Sequence, residues 1–467
     1  MNKKLNYFYF EKIGRRYFIS IDDGEWMMIS EKDFRSLKSG HPNRGLLLKL
    51  EKNNLLSEKM DFSSYFEKFS SLKEFTFASP SLHIIVLTLA CNHRCVYCRA
   101  VDSPGRGSSM DDRTAKKTLE FIFSSPSKAL SIEFQGGEAL INWKILSSSV
   151  NMARSMAKRS GRDLELSVVT NLSLMTEEKM KFLLDRGVSI CTSLDGPADV
   201  HDRNRLFSGG SSHALVVKWL KKIKKETEKN SGRKDSLPSA LMTTTRFSLK
   251  APERIIEQYR DLGLGGIFLR PLSPIGYAKS VWDKIGYSPA DFLSFYEKAL
   301  DIILEINRRG EKFVERNAAI KLKKLLFCQD PNFLDLRSPC GAASGQLAYN
   351  WDGSVYTCDE GRMTGAAGDD FFKIGDVFSS TYRDVAVSPG ARLCAMCSCM
   401  ENQPLCSRCA FKHYCGICPV HNYETSGTPW GRAGFGGWCE IEKGIFKILI
   451  ERMKEDRNMK VFLGWFS

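Results

Sequence analysis

The sequence predicts an α/β chain, a partial (β/α)6 parallel barrel set between a small N-terminal module and a cysteine-rich C-terminal region. Three observations carry this. From residue 79 to about 300, apolar runs of strand length alternate with amphipathic helical stretches, the pattern of parallel strands joined by crossover helices. Three thiols, Cys91, Cys95 and Cys98, sit in a short loop directly after the first such run. Ten of the fifteen cysteines fall between Cys340 and Cys439, in a segment poor in periodicity.

With 467 residues, 43% hydrophobic and 26% charged, the chain has room for two or three domains with full cores and is not a disordered polymer. No apolar run approaches the roughly 18 residues of a membrane span, and the N-terminus lacks a small-residue cleavage site after an apolar core. A soluble cytoplasmic protein with no membrane partner is expected. In that setting fifteen cysteines argue for metal rather than a disulfide framework. The net charge of +14 raises the question of nucleic acid, because clustered Lys and Arg neutralise phosphates. The positive residues are spread, however, and the densest run, Lys218 to Lys229, reads as one solvated helix face or a docking surface for an acidic peptide. No nucleic-acid partner is expected.

Taken in order, residues 1–78 form a separate unit. Two β-runs, 16–21 and 25–29, flank the turn Asp22-Asp23-Gly24, and two short helices follow, the first introduced by Ser30 and Asp33. Residues 79–288 are the barrel, with strands at 82–89, 130–134, 164–170, 188–193, 240–245 and 266–269. Its helices lie at 112–123, 143–159, 177–185, 214–228 and 252–262. Residues 289–335 read as a bridge of two helices, and 336–467 as a region held by its metals rather than by a large apolar core.

A closed zinc site wants four N/S ligands, and His93 is too tightly placed in the loop to complete one with Cys91, Cys95 and Cys98. A cubane held by three thiolates keeps one iron open to a small chelating molecule. A zinc loop, or three unrelated buried thiols, is the other reading of the loop taken alone. The spacing C-x3-C-x2-C, with Tyr97 before the last cysteine, resembles the cluster loop of the radical S-adenosylmethionine (SAM) superfamily. The resemblance implies a 4Fe-4S cluster, SAM on its open iron, and one-electron cleavage of SAM to a 5'-deoxyadenosyl radical. Gly136-Gly137-Glu138, one strand later, then matches the family loop that holds the SAM amino group. The stretch from Thr192 to Arg205, TSLDGPADVHDRNR, is similar to a run in radical SAM peptide maturases. It implies Ser193 and Arg205 as ribose or carboxylate contacts, with Asn171 beside them. The backbone around Leu272 would border the adenine, and Arg270 would face the substrate or form a structural salt bridge.

The C-terminal cysteines resemble a SPASM domain, which binds two auxiliary 4Fe-4S clusters in enzymes that modify peptides. By that resemblance Cys406, Cys409, Cys415 and Cys439 hold an outer cluster, and Cys340, Cys358 and Cys418 an inner one. Two departures stand out. Cys415 and Cys418 are separated by two residues where the pattern has three, and the usual ligand shortly before Cys340 is missing, so Cys328 or an open iron completes the inner site. Cys394, Cys397 and Cys399 are additional, as iron ligands, zinc ligands or free thiols. A pair of zinc ribbons is the alternative for the whole set. Asp359, directly after Cys358, occupies the place where some SPASM enzymes put a general base; the other reading is that Asp359 or Glu360 contacts a basic peptide group or caps a turn.

Phrases along nearly the whole chain, among them SIEFQGGEAL and YNWDGSVYTCDEGRM, resemble the radical SAM maturase of the His-Xaa-Ser system. The fold implied is a partial (β/α)6 radical SAM barrel with an N-terminal winged-helix-like peptide-recognition module and a C-terminal SPASM domain. The activity implied is modification of a ribosomally made precursor peptide by hydrogen abstraction from a side-chain carbon, ending in a crosslink within the peptide. A reductant such as flavodoxin or ferredoxin, and a second radical SAM maturase, are the implied partners. Formylglycine formation on a Ser or Cys, and a non-catalytic zinc protein that binds nucleic acid, are the alternatives.

Overall fold

The computed structural model describes residues 5–98, 108–229, 238–432, 434 and 436–467. Six parallel strands form the expected partial barrel: Leu82–Val86, Ala129–Gln135, Asp163–Val169, Val188–Ser193, Ser239–Thr243 and Leu269–Arg270, in that order across the sheet. Helices Asp112–Ile122, Trp143–Ser160, Glu177–Asp185, Ser212–Lys229 and Pro252–Asp261 return the chain between them. The strand Ala129–Gln135 shows why. Leu130, Ile132 and Phe134 are buried in one apolar core with Leu119, Ile145 and Val150 of the helices, while Ser131, Glu133 and Gln135 alternate onto the inner face.

The sixth strand departs from expectation. A single strand over 266–269 is predicted, but Gly266–Ile267 pairs with Val314–Glu315, and only Leu269–Arg270 continues the barrel. Glu315 is the cause. Its fully buried carboxylate accepts the N–H of Leu269 at 3.0 Å and the hydroxyl of Tyr296 at 2.7 Å, and caps the helix Arg316–Phe327 through the N–H groups of Asn317 and Ala318. One acidic side chain thereby inserts a strand between the two predicted bridging helices, Pro289–Arg308 and Arg316–Phe327.

The cysteine-rich region is joined to the barrel by backbone as well as by side chains. Gln346–Tyr349 pairs in parallel with the outer edge of Leu82–Val86, and Ser354–Tyr356 and Lys373–Asp376 continue antiparallel, so one nine-stranded sheet runs through both. This ladder, with a small core of Ile84, Ala348, Tyr356 and Phe372, adds to whatever metals contribute.

At the N-terminus the expected hairpin has a third strand. Tyr9–Ile13, Arg16–Ser20 and Trp26–Ser30 form an antiparallel sheet, followed by helices Glu31–Lys38 and Arg44–Lys52. The first strand was not legible because Tyr7, Phe8, Tyr9 and Phe10 hide any alternation. A further helix, Phe62–Lys73, exposes Phe62, Phe66 and Phe69 along one face, and an ion pair between Lys68 and Glu25 ties it to the sheet. The sheet packs on the cysteine-rich region. Phe18, fully buried, lies 5.2 Å from the rings of both Trp26 and Phe411, and Ser20 donates to the carbonyl of Ala410 at 2.8 Å. Among the described residues no helix is long and apolar enough to cross a membrane.

Phe18→Ala removes the ring at this junction and is expected to cost about 3–5 kcal/mol. Chemical denaturation checks it: a shared transition falls to lower denaturant, whereas an early transition confined to the first 78 residues would show that the module does not depend on the contact.

Candidate functional site

The cysteine loop is fixed by a small antiparallel ribbon. His93–Cys95 pairs with Arg205–Phe207, which places Arg205 directly across from Cys95. The Arg205 guanidinium lies 3.9 Å from the Cys95 sulfur and donates through Nε to the carboxylate of Asp195 at 3.0 Å. Tyr97 donates to the same carboxylate at 2.6 Å, and the N–H of Thr243 reaches it at 3.1 Å. Asp195 is fully buried; burial is the largest influence and pushes its pKa up, but Arg205, His201 and the hydrogen bonds from Tyr97 and the Thr243 N–H together hold the carboxyl below the usual range. Arg205 and Tyr97 therefore reach the cysteine loop, with their polar groups committed to Asp195.

Glu138 and Asn171 tie two further loops to the first. The Glu138 carboxylate, 1% exposed, accepts from the Thr170 hydroxyl at 2.7 Å, the Asn171 N–H at 2.7 Å and the Leu140 N–H at 2.9 Å. The Asn171 amide donates to Asn92 inside the cysteine loop at 2.9 Å and sits 3.0 Å from His93 Nδ1. His93 Nε2 meets the Ser212 hydroxyl at 3.0 Å, so both of its ring nitrogens are engaged. Gly136 and Gly137 are needed by the chain itself. A Cβ at Gly136 would lie 2.2 Å from the Thr88 carbonyl oxygen, and one at Gly137 2.3 Å from that of Ala90. The two glycines let this loop lie directly on the backbone that leads into the thiols. Ser193 closes its strand, and Leu272, 6% exposed, donates its N–H to Tyr287 at 2.6 Å.

A cavity of about 270 Å³ is lined by Tyr97 and Cys98 of the loop, by Cys418 and His421 of the C-terminal region, and by Arg270 and Glu360. Arg270 and Glu360 face one another at 3.8 Å. Leu272 also lines it. A second cavity of about 450 Å³ shares the Cys418 and His421 wall and is lined by Cys406, Cys415 and Cys439. Asp359 is absent from the wall of the first. It opens the helix Asp359–Ala366, and buried Arg362 donates to it at 2.9 Å; its neighbour Glu360 reaches the cavity, as do the carboxylates of Asp335 and Glu442.

The thiols fall into three groups that perturb one another's ionisation: Cys91, Cys95 and Cys98; Cys340, Cys358 and Cys418; and Cys406, Cys409, Cys415 and Cys439. No disulfide links them. Burial pushes Cys91 up to about 11 and Cys95 to about 12, so a thiolate here requires a compensating cation. The protein already supplies donors for thiolates. Main-chain N–H groups point to the sulfurs of Cys91, Cys358, Cys409 and Cys418 at 3.3–3.4 Å. Such bonds tune iron–sulfur clusters. Among the described residues no three His, Cys, Asp or Glu side chains converge closely enough for a single metal ion. The donor set, all thiols spread around space, fits clusters.

Residues 85–232 match the Radical SAM superfamily model. The chain is 25% identical over 302 residues to a cysteine-type anaerobic sulfatase-maturating enzyme of Clostridium perfringens, covering 60% of this chain and 75% of that one. The fold matches native anSMEcpe with bound AdoMet at a TM-score of 0.66, with 18% identity, 81% of this chain and 99% of that chain covered. It also matches Streptococcus suis SuiB bound to precursor peptide SuiA at 0.54, with 14% identity and coverage of 91% and 97%. The class is thus a radical SAM α/β fold, with a Radical SAM superfamily match over the barrel and sequence homology to anaerobic sulfatase maturases. Members of this family use a 4Fe-4S cluster and SAM.

Sequence reasoning gave two side chains no role of their own. Asp195 looked like part of a turn, because nothing in Asp-Gly-Pro discloses that the carboxylate points inward. Glu133 was not singled out, although a carboxylate alternating with Ile132 and Phe134 signals an inner face. Glu360 was named only as an alternative to Asp359 for contact with a basic peptide group or as a turn cap. Burial, reinforced by the charge of Asp359, pushes Glu133 up to about 7.

Asp195→Asn leaves Arg205 buried without its counter-charge and is expected to cost about 3–5 kcal/mol in stability. It should also lower loop iron, read as iron per chain after anaerobic loading with the C-terminal thiols intact. For Glu133 the sign follows from its raised pKa. The unfolded carboxyl ionises near 4.5 and the folded one near 7, so the residue costs nothing below about pH 4.5, progressively more up to pH 7, and a constant amount above. Glu133→Gln should match the parent's stability at pH 4.5 and exceed it by about 2–3 kcal/mol at pH 8; denaturation at the two pH values checks this.

Proposed function

We propose that the chain matures a ribosomally made peptide, with the reaction taking place in the cavity between Cys98 and Cys418. The observation that carries this reading is the cavity itself. Its lining includes Tyr97 and Cys98 of the cysteine loop and Cys418 of the inner thiol group, and it presents Arg270 and Glu360 to whatever it holds. When bound, the loop cluster and SAM supply a 5'-deoxyadenosyl radical that takes a hydrogen atom from a peptide carbon.

The loop cluster would rest on Cys91, Cys95 and Cys98, the outer cluster on Cys406, Cys409, Cys415 and Cys439, and the inner one on Cys340, Cys358 and Cys418. Tyr97, Gly136, Gly137, Asn171, Ser193, Arg205 and Leu272 form the proposed SAM seat, where Glu138 acts by tying the loop to Thr170 and Asn171. Arg270 orients an acidic or carbonyl group of the peptide. Glu360 is the carboxylate that a substrate proton meets first, with Asp359 beside it as the acceptor backed by Arg362. The face carrying Phe62, Phe66 and Phe69, next to the N-terminal sheet, is the proposed seat of the peptide's leader, an amphipathic or extended segment with apolar anchors. The chemistry proposed is a crosslink within the peptide. A sulfatase-maturase-like oxidation of one Ser or Cys is the second reading, favoured by the Clostridium perfringens relative.

Purified, iron-loaded protein given SAM and a strong reductant without oxygen is expected to release 5'-deoxyadenosine, and Cys95→Ala to release at least a hundredfold less. Equal release from both would overturn the proposal. With peptide present, a product two hydrogens lighter with two residues joined supports the crosslink, and one that reacts with hydrazines as an aldehyde supports the second reading.

A further inference from the structure

We infer that Cys394 is the fourth thiolate of the inner group, completing with Cys340, Cys358 and Cys418 a closed ligand set for one iron–sulfur cluster. This rests on the reading that the inner thiols hold a cluster at all. The position usual for the fourth ligand, shortly before Cys340, carries no cysteine, and the two replacements differ in where the fold puts them.

Cys328 belongs to another part of the molecule. Its sulfur donates to the carbonyl oxygen of Gly24 at 3.3 Å, and its charged surroundings are Asp23, Glu25 and Lys68 of the N-terminal module. Nothing connects it to Cys340 or Cys358. Cys394, 1% exposed on the helix Pro389–Ser398, lies in the same buried cluster as Cys340 and Cys358, with Cys418 packed against it. The backbone fixes this placement. The N–H of Cys340 donates to the Ser398 hydroxyl at 2.9 Å, and that hydroxyl donates to the carbonyl of Cys394 at 2.5 Å, so one serine staples the two cysteines' main chains together. The Thr357 hydroxyl lies between the thiols, 3.8 Å from the Cys358 sulfur and in hydrogen-bond contact with Cys394.

The neighbouring thiols are differently disposed. Cys397 donates to the carbonyl of Cys394 at 3.6 Å, and Cys399 to the carboxylate of Glu401 at 3.0 Å. Neither Cys397 nor Cys399 belongs to the buried cluster that holds Cys340, Cys358 and Cys394. Of the three additional cysteines, only Cys394 meets the inner group. A cluster held by four thiolates has no open iron, so a peptide in the cavity would meet the Cys418 wall without ligating the metal.

The test uses the full chain with Cys91, Cys95 and Cys98 all replaced by Ala, loaded anaerobically with iron and sulfide, so that only auxiliary clusters report. A cluster held by three thiolates readily loses its unprotected iron on mild oxidation and then gives the paramagnetic three-iron signal; one held by four does not. This parent and its Cys397→Ala and Cys328→Ala derivatives are expected to lack that signal after ferricyanide, and Cys394→Ala to show it or to lose a full cluster's iron. Should Cys394→Ala fail to fold, Cys394→Ser, which keeps the volume and can ligate through oxygen, is expected to retain iron with altered electron-paramagnetic and Mössbauer spectra. A three-iron signal in the parent, a Cys394→Ala or Cys394→Ser spectrum identical to the parent's, or a change on Cys328→Ala instead, each overturns the inference while leaving the auxiliary clusters in place. A parent that binds no iron and sulfide overturns the auxiliary-cluster reading itself.

Discussion

Three thiols on a short loop need an external frame, because a dozen residues between two strands have no core of their own. Here the frame converges on the Asp195 carboxylate. It receives Tyr97 from inside the loop, Arg205 from the ribbon strand opposite Cys95, and the Thr243 backbone from the next barrel strand. A buried ion pair seldom adds net stability against an apolar replacement, so its value lies in specifying one arrangement. Arg205 does two things at once: it neutralises Asp195 and brings positive charge within 3.9 Å of a sulfur that must ionise.

The same economy governs the Gly136-Gly137-Glu138 turn. Its glycines admit the carbonyls of Thr88 and Ala90, and its carboxylate ends on Thr170 and Asn171, so the first, second and third barrel strands meet at their C-terminal ends. In barrels of this type that end is where chemistry is placed. The cavity beneath it then inherits its polarity from elsewhere: Arg270 from the last barrel strand, Glu360 from the helix after Cys358, His421 and Cys418 from the C-terminal region. A site assembled from segments up to three hundred residues apart gains its shape only when all of them are folded.

Most of the architecture was legible. Alternating apolar runs and helical stretches fixed five of the six barrel strands because periodicity and packing agree there. The sixth failed where a single buried glutamate, Glu315, supplies hydrogen bonds that no propensity encodes. The grouping of the C-terminal cysteines came from the resemblance to a SPASM domain, and in the fold Cys340, Cys358 and Cys418 meet at one buried cluster. Spacing could not disclose what lies across the molecule: that Asp195 turns inward, that Glu360 and not Asp359 reaches the cavity, or that Cys394 stands beside Cys340. Those depend on helix phase and on contacts between distant segments.

The sheet that runs from the barrel into the cysteine-rich region limits how this protein can move. Strand Leu82–Val86 is bonded along its length to Ala129–Gln135 on one side and Gln346–Tyr349 on the other. No hinge is available between the two regions, because opening one would break a continuous row of backbone hydrogen bonds. Separating them would strip each of an interior neighbour and leave two bare edges, which invite aggregation. The strand that delivers the first three thiols is therefore also the seam, and the two regions share one continuous sheet.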